Sequence, residues 1–94
     1  DPNANISRQE LAVMLVNFAK SQNVALTDKV AAVTFADASG IAKWAKDEVA
    51  LCQKAGIISG YTEGTAVNFK PKNTASRAEA AQMIYKFVTE FVVK

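Results

Sequence analysis

The chain has 94 residues, of which half are apolar and 21% are charged, and its formal net charge is +2. This length fits one small domain, and apolar residues spread along the whole chain exclude a disordered protein. The lysines and arginines are scattered among acidic residues, so a basic patch that binds nucleic acid is not indicated. A membrane span is also not indicated, because no apolar run approaches ~18 residues; Thr89 and Glu90 break the stretch from Phe87 to Val93.

Histidine is absent, and Cys52 is the single cysteine. One cysteine forms neither an internal disulfide nor a metal-ligand set, so no metal or cofactor is indicated. Cys52 lies on an apolar helical stripe, which predicts a buried thiol that packs as a small hydrophobe. The polar residues 1–5 are not a signal peptide, so we expect the signal of a secreted protein to lie outside this chain.

The first predicted element is an amphipathic helix over about Ser7–Ser21. Ser7 and Glu10 form a Ser-x-x-Glu capping box, in which each side chain satisfies a backbone N–H at the helix start. Apolar residues then follow at helical spacing, namely Leu11, Met14, Leu15 and Phe18. The next segment, Val24–Val33, is predicted to form a short helical turn that Thr27 caps.

Two more helices and a loop are predicted after residue 39. One helix covers Gly40–Ala55, because a broad apolar face runs along it and Gly56 is a natural C-terminal stop. Ile57–Asn68 is predicted as a loop, since glycine and threonine punctuate it and no strand alternation survives. The last helix covers Ser76–Val92, with an apolar stripe of Ala80, Met83, Ile84 and Phe87. The sequence therefore predicts a mainly α module whose capped helices are joined by long ordered loops.

The first and last helices are copies of one element. Ser7-Arg8-Gln9-Glu10 recurs as Ser76-Arg77-Ala78-Glu79, an offset of 69 positions (76 minus 7). At the same offset Pro2 matches Pro71, Ala12 matches Ala81, Met14 matches Met83 and Phe18 matches Phe87. The proline before each capping box keeps the incoming chain extended. The two copies span Pro2–Phe18 and Pro71–Phe87, so the chain holds about one and a half repeats.

The ordered set of motifs resembles that of S-layer homology domains. In the family's order, the matching residues are Phe35-Ala36-Asp37, Trp44-Ala45, Gly56-Ile57-Ile58-Ser59-Gly60-Tyr61, Gly64-Thr65, Phe69-Lys70-Pro71 and Ser76-Arg77-Ala78-Glu79. The resemblance covers Phe35 to about Val92, and it implies that residues 1–23 are the closing half of a preceding repeat and residues 24–94 one complete repeat. The chain departs from the family in the serine that replaces threonine at both helix starts, and in Ala66-Val67-Asn68, which looks inserted.

The resemblance also implies a function. Family members bind secondary cell-wall polymers, often with pyruvylated amino sugars, in grooves between repeats that are generally three in number. The chain is then expected to be a non-catalytic, extracellular anchoring module whose partner is a bacterial cell-wall polysaccharide. Arg77 and Arg8 are the implied anion contacts, since an arginine in the first turn points outward beside free N–H groups and its planar fork suits a carboxylate. The alternative for both is a solvated surface arginine or a salt bridge.

Five further residues are implied ligand contacts, each with a structural alternative. Trp44 offers a flat face for a sugar ring, although its helical spacing favours packing in the core. Asp37 is a possible acceptor from sugar hydroxyls, although a cap before the Trp44 helix is favoured. Ser59, Gly60 and Tyr61 form a turn in which glycine permits close approach of a ligand or a positive φ, and the need for a turn is the favoured explanation.

Three other function classes are weighed against wall anchoring. An assembly module is motivated by the incomplete repeat, whose exposed apolar ends would permit self-association. An enzyme is disfavoured, because a glycosidase needs two carboxylates facing each other across a cleft and Glu10 and Glu79 are expected to serve as capping-box acceptors. The remaining acidic residues considered, Asp37, Asp47 and Glu48, supply candidates in number only. A DNA-binding helix-turn-helix is disfavoured by the lack of a basic recognition helix.

Overall fold

The computed structural model of the chain describes residues 6–92. These residues form the helices α1 (Arg8–Ser21), α2 (Lys46–Lys54) and α3 (Arg77–Phe87), with a π-helical turn at Val88–Val92. The strands β1 (Tyr61–Glu63) and β2 (Ala66–Asn68) pair as an antiparallel hairpin. The predicted mainly α fold is confirmed. The predictions for Pro2 and for Val93 lie outside the described residues.

Both predicted capping boxes are present. The Ser7 hydroxyl accepts a hydrogen bond from the Glu10 backbone N–H, and the Glu10 carboxylate accepts one from the Ser7 N–H. Ser76 and Glu79 make the same pair of bonds at the start of α3. Each box satisfies two backbone donors that a helix start would otherwise leave without partners, which explains why both helices begin where the motif stands.

The helix predicted over Gly40–Ala55 begins later than expected. It is preceded by two 3₁₀ turns, Ala38–Gly40 and Lys43–Ala45, because the backbone is extended between them at Ala42. The Ala42 N–H donates to the side chain of Gln9 in α1, whereas in the predicted helix it would donate to a carbonyl four residues earlier. The predicted stop is confirmed, since Gly56 has a φ of 79° directly after the C-cap of α2.

The short helix predicted within Val24–Val33 is wrong. This segment is irregular and crosses the C-terminal end of α2, where the Lys29 and Val30 N–H groups donate to the Lys54 carbonyl. The Gln53 side chain binds two further backbone groups of the segment. The Lys54 carbonyl therefore accepts hydrogen bonds from two N–H groups that, in a helical turn, would donate to carbonyls of the segment itself.

The loop predicted over Ile57–Asn68 contains the β-hairpin instead. Each strand has three residues, which is too short for an alternating pattern to stand out in the sequence. The turn includes Gly64, whose φ of 64° lies in the left-handed region that favours glycine. The hairpin is also held from outside, because Ala36 N–H donates to the Val67 carbonyl.

A single core joins the helices to the loops around the hairpin. Its members are Leu11, Ala12, Leu15, Val16, Ala19, Phe35, Ile41, Ala45, Val49, Cys52, Ala55, Ile57, Ile58, Phe69, Ala75, Met83, Phe87 and Phe91. Phe35 and Phe69 pack with their ring centroids 5.3 Å apart. The buried Cys52 thiol is as predicted, and burial raises its pKa to about 12, so it stays protonated at neutral pH.

Trp44 is not part of the core. Its side chain is 56% exposed, so the favoured prediction that it packs inside is wrong. The reason is the 3₁₀ turn at Lys43–Ala45, which breaks the helical spacing assumed for the apolar stripe and buries Ala45 in place of Trp44. None of the helices within residues 6–92 combines the length and apolar character needed to cross a membrane.

Candidate functional site

The guanidinium group of Arg8 lies at the centre of the candidate site and is bound on several edges. Its Nε donates to the Phe69 carbonyl at 2.8 Å, and its Nη2 donates to the Ser59 carbonyl at 2.7 Å. Its Nη1 forms a 2.7 Å ion pair with the Glu79 carboxylate. Arg8 is only 3% exposed. A planar fork with five donors is the side chain best suited to join two backbone carbonyls and a carboxylate in this way.

Tyr61 completes the group of polar residues around Arg8. The Tyr61 ring centroid lies 4.7 Å from the Arg8 guanidinium carbon, close enough for a cation–π contact. Its hydroxyl donates to the same Glu79 oxygen that pairs with Arg8. This hydrogen bond raises the pKa of Tyr61, and it is also the main cause that lowers the pKa of Glu79. Glu79 therefore serves both as a cap for α3 and as the acceptor for two side chains from elsewhere in the chain.

A cavity of about 210 Å³ opens beside these residues. Its lining consists of Arg8, Ile57, Ile58, Ser59, Gly60, Tyr61, Glu79, Gln82, Met83 and Lys86. The structure thus brings together four of the residues predicted from the sequence, since Arg8, Ser59, Gly60 and Tyr61 all lie on its wall. Gln82 and Lys86 were missed, although helical spacing places them on the same side of α3 as Glu79, and that spacing is the signal that could have found them.

The two arginines differ in their surroundings, and the prediction that Arg8 points outward beside free N–H groups is wrong. The backbone N–H groups of Arg8 and Gln9 donate to the carbonyls of Asn73 and Pro71, so α1 begins against the loop that leads into α3. Arg77 is exposed as predicted, and it makes no ion pair with another residue in the part of the chain that the structure describes. Arg77 does not line the cavity.

Asp37 and Trp44 lie apart from the cavity wall. The predicted cap by Asp37 is wrong, because its carboxylate makes no bond to the 3₁₀ turn that follows it. Its two oxygens accept hydrogen bonds from the backbone N–H groups of Phe69 and Lys70, each at 2.8 Å. Lys70 has a φ of 58°, and these two bonds hold the chain in that unfavourable conformation.

Gly60 is required by close packing rather than by a positive φ. A Cβ atom at this position would lie 2.7 Å from the Asn68 carbonyl oxygen and 2.7 Å from the Phe35 ring. The absence of a side chain lets the chain between Ser59 and Tyr61 pass against β2. Glycine therefore sets the position of the Ser59 carbonyl and the Tyr61 ring, the two groups that approach Arg8 from this loop.

Comparison with known proteins identifies the family. The sequence profile of the S-layer homology domain matches residues 34–81, which is half of the chain. The chain belongs to the S-layer homology domain family. The resemblance drawn from the ordered motifs is therefore confirmed, and six of the ten residues that line the cavity lie within the matched region. No solved structure matches the chain significantly.

Three curated proteins share the S-layer homology region. The chain is 34% identical to an amylopullulanase of Thermoanaerobacterium thermosulfurigenes and 36% identical to the exoglucanase XynX of Acetivibrio thermocellus, in each case over 84 residues and 89% of the chain. It is 30% identical over 87 residues, or 88% of the chain, to cell surface glycoprotein 1 of Acetivibrio thermocellus. The chain spans 4% of the amylopullulanase and of the glycoprotein and 8% of the exoglucanase.

The stability of this S-layer homology module should fall in acid through Glu79. Hydrogen bonds from the Tyr61 hydroxyl and the Ser76 N–H lower the pKa of Glu79 in the folded state. The resulting stabilisation is present above the unfolded-state pKa of about 4.3 and is lost as the pH falls through the lower folded-state pKa. Urea unfolding at a series of pH values should therefore show a smaller loss between neutral and acid pH for Glu79→Gln than for the unchanged protein.

Glu10→Gln is the matched control for this measurement. Glu10 makes the same capping box, and its pKa is lowered by the Ser7 backbone hydrogen bond, but it lacks the contacts with Tyr61 and Arg8 that Glu79 makes. Glu10→Gln should flatten the acid dependence less than Glu79→Gln. Equal acid dependence for both variants would show that the contacts of Glu79 with Tyr61 and Arg8 do not contribute to it.

Proposed function

We propose that this chain is a non-catalytic module that attaches a larger surface protein to the bacterial cell wall by binding an acidic cell-wall polymer. The observation that carries the proposal is the cavity in which Arg8, Tyr61, Glu79 and Lys86 meet. The family and its relatives support the same conclusion. A segment shared by two proteins with different enzyme names and by a surface glycoprotein supports a common role in placement at the cell surface rather than one catalytic activity.

The charges of the cavity favour an acidic ligand. Arg8 and Glu79 form an ion pair, so their formal charges cancel. Lys86, which also lines the cavity, leaves an excess positive charge there. A carboxylate on a sugar would be attracted to this lysine, and charge-assisted hydrogen bonds are the stronger kind.

The remaining polar groups of the cavity suit a carbohydrate. Gln82 is exposed on the cavity wall and carries both donors and an acceptor for sugar hydroxyls. Tyr61 presents an amphipathic ring that is 37% exposed. Six of the ten lining residues are polar or charged, which suits a ligand rich in hydroxyl groups better than an apolar one.

Calorimetric titration with purified cell-wall polymer tests this function. The polymer should bind the intact chain, and removal of its acid groups should weaken binding. Lys86→Ala should weaken binding about tenfold, the change expected for loss of one charge-assisted contact. Lys20→Ala is the matched control, because Lys20 is an exposed lysine that does not line the cavity.

The same titration examines the other residues that the family resemblance implies. Arg77→Ala weakens binding if Arg77 contacts the polymer outside the cavity, and Trp44→Ala does so if a sugar stacks on the exposed indole. Acid-independent binding together with an unchanged affinity of Lys86→Ala would refute the proposed site. The extracellular location and the division into residues 1–23 and 24–94 belong to this proposal as well.

A further inference from the structure

We propose that a second cavity, a groove along α2, binds an extended peptide that carries an acidic side chain on either side of an apolar one. We call this cavity the α2 groove. It has a volume of about 360 Å³ and is lined by Ala32, Val33, Thr34, Phe35, Ala38, Ser39, Ile41, Lys46, Val49, Ala50, Gln53 and Lys54. It shares no lining residue with the cavity around Arg8, so the proposal does not depend on polymer binding.

One wall of the α2 groove is a single face of the helix. Lys46, Val49, Ala50 and Gln53 recur at the i, i+3, i+4, i+7 spacing that places residues on the same side of a helix. Val49 is buried and Ala50 is exposed. Val49 therefore lies at the base of the groove, and the small Ala50 side chain leaves room above it.

The opposite wall is held to α2 by the Gln53 side chain. The Gln53 carbonyl oxygen accepts a 2.9 Å hydrogen bond from the Val33 N–H, and its amide nitrogen donates to the Ala31 carbonyl at 3.0 Å. Phe35 belongs to the core and anchors the same wall further along the chain. The two walls are thus joined by hydrogen bonds and packing, so the groove is formed before a ligand binds.

The lining of the α2 groove favours a ligand with an apolar centre. Seven of its twelve lining residues are apolar, whereas six of the ten residues around the Arg8 cavity are polar or charged. Ligand sites lined mainly by apolar side chains, with a few polar groups at set positions, are typical of ligands that bury apolar surface. The centre of the ligand is therefore an aliphatic side chain rather than a sugar ring.

The charges of the α2 groove add an acidic group at each end of that ligand. Its charged lining residues are Lys46 and Lys54, and neither makes an ion pair with another residue between 6 and 92. They lie eight positions apart (54 minus 46) in one helix, which corresponds to about 12 Å along its axis. In an extended peptide, the first, third and fifth side chains share a face, and the outer two lie about 13 Å apart. Two acidic residues that flank an apolar one at this spacing match the groove.

Backbone groups at the rim favour a peptide over another dicarboxylic ligand. Ala32 and Thr34 are exposed, and within the described range their N–H groups donate to no protein acceptor. An extended peptide supplies carbonyl oxygens at regular intervals, and main-chain hydrogen bonds of this kind give much of the affinity when a peptide binds along an exposed chain segment. A fatty dicarboxylic acid has the charges and the apolar centre but lacks these acceptors.

An NMR titration of the ¹⁵N-labelled 94-residue chain tests the proposal. The probe is a peptide of glutamate, threonine, leucine, threonine and glutamate, acetylated and amidated at its ends. It should shift amide signals of residues 32–41 and 46–54. Lys46→Gln and Lys54→Gln should each raise its Kd about two- to fivefold, the range expected for an exposed ion pair. Lys43→Gln is the matched control, because Lys43 is an exposed lysine outside the groove.

Ala50→Glu should block the α2 groove without unfolding the protein. Ala50 is exposed, and glutamate is a good helix former, so the Tm should not fall. The new carboxylate lies four residues from Lys46 and from Lys54, where it can pair with either and compete with the peptide. The Kd of the probe should rise at least about tenfold, equivalent to 1.4 kcal/mol.

Four results would overturn the proposal. They are no shift at millimolar peptide, equal affinity for a probe in which glutamine replaces both glutamates, equal affinity for nonanedioic acid, and equal affinity of the Ala50→Glu variant. Shifts of the same groove signals by the acidic cell-wall polymer in place of the peptide would also overturn it, in favour of a second polymer site. Polymer binding at the Arg8 cavity is followed separately through Lys86→Ala, because Lys86 does not line the α2 groove.

Discussion

Replacement of Arg8 by alanine is expected to lower the free energy of unfolding by about 2–4 kcal/mol, because it removes charge-assisted hydrogen bonds from a buried guanidinium group to two carbonyls and a carboxylate. The variant leaves the Phe69 and Ser59 carbonyls without their side-chain donor and leaves the Glu79 carboxylate without its cation. Urea unfolding followed by circular dichroism measures the loss.

Arg77→Ala is the matched control, since Arg77 occupies the equivalent position of the repeat but is exposed. It should change the free energy of unfolding of the protein by less than about 0.5 kcal/mol. Arg8→Lys should recover only part of the loss, because one ammonium group cannot reach two carbonyls and a carboxylate with the geometry of the guanidinium fork. Equal small effects of Arg8→Ala and Arg77→Ala would contradict the assignment of Arg8 to a buried structural position.

Phe69→Ala is expected to have a similarly large effect, about 3–5 kcal/mol, since it removes a fully buried aromatic ring from the core. The ring packs against Phe35 and lies 5.0 Å from the Arg8 guanidinium carbon. The resulting cavity would therefore loosen both the core and the packing around the arginine. Urea unfolding again measures the effect.

Phe18→Ala provides the control for Phe69. Phe18 is a phenylalanine on α1 that is half exposed and touches Phe87 edge to face. Its removal should cost about 1 kcal/mol or less, because about half of its surface is already in contact with water. A cost for Phe18→Ala as large as that for Phe69→Ala would show that the core is centred elsewhere.

Arg8 both stabilises the fold and lines the cavity, so it is a poor choice of variant for binding experiments. The same guanidinium that ties α1 to the hairpin loops also lines the cavity. Loss of polymer binding by an Arg8 variant would therefore report unfolding as readily as a lost contact. Lys86 is the better probe, because it lines the cavity and makes no ion pair with any other residue from 6 to 92.

Local interactions allowed several features to be predicted from the sequence. The capping boxes of Ser7 and Ser76 and the stop at Gly56 depend on residues within one helical turn of each other, so the motif alone identifies them. The 69-residue repeat and the ordered motifs identified the family. The hairpin was missed because three-residue strands carry too little pattern. The helix predicted within Val24–Val33 was wrong because the Lys54 carbonyl and the Gln53 side chain of α2 bind its backbone instead.

The candidate site could be predicted only in part. Ser59, Gly60 and Tyr61 were selected from the sequence and do line the cavity, whereas Lys86 was not selected. Asp37 was predicted as a cap before the Trp44 helix, but its partners are the N–H groups of Phe69 and Lys70, more than 30 positions away. No local pattern specifies a partner at that distance along the chain.

The two arginines show most clearly the difference between what the sequence predicts and what the tertiary structure determines. The motif around Arg8 and Arg77 determined that each begins a capped helix and that the two helices are copies. Only the tertiary structure decided that Arg8 is buried against two carbonyls and Glu79 while Arg77 faces solvent. The physical reason is that burial depends on what packs over a residue: α1 lies against α2 and the hairpin loops, and within residues 6–92 α3 has no equivalent layer beyond it.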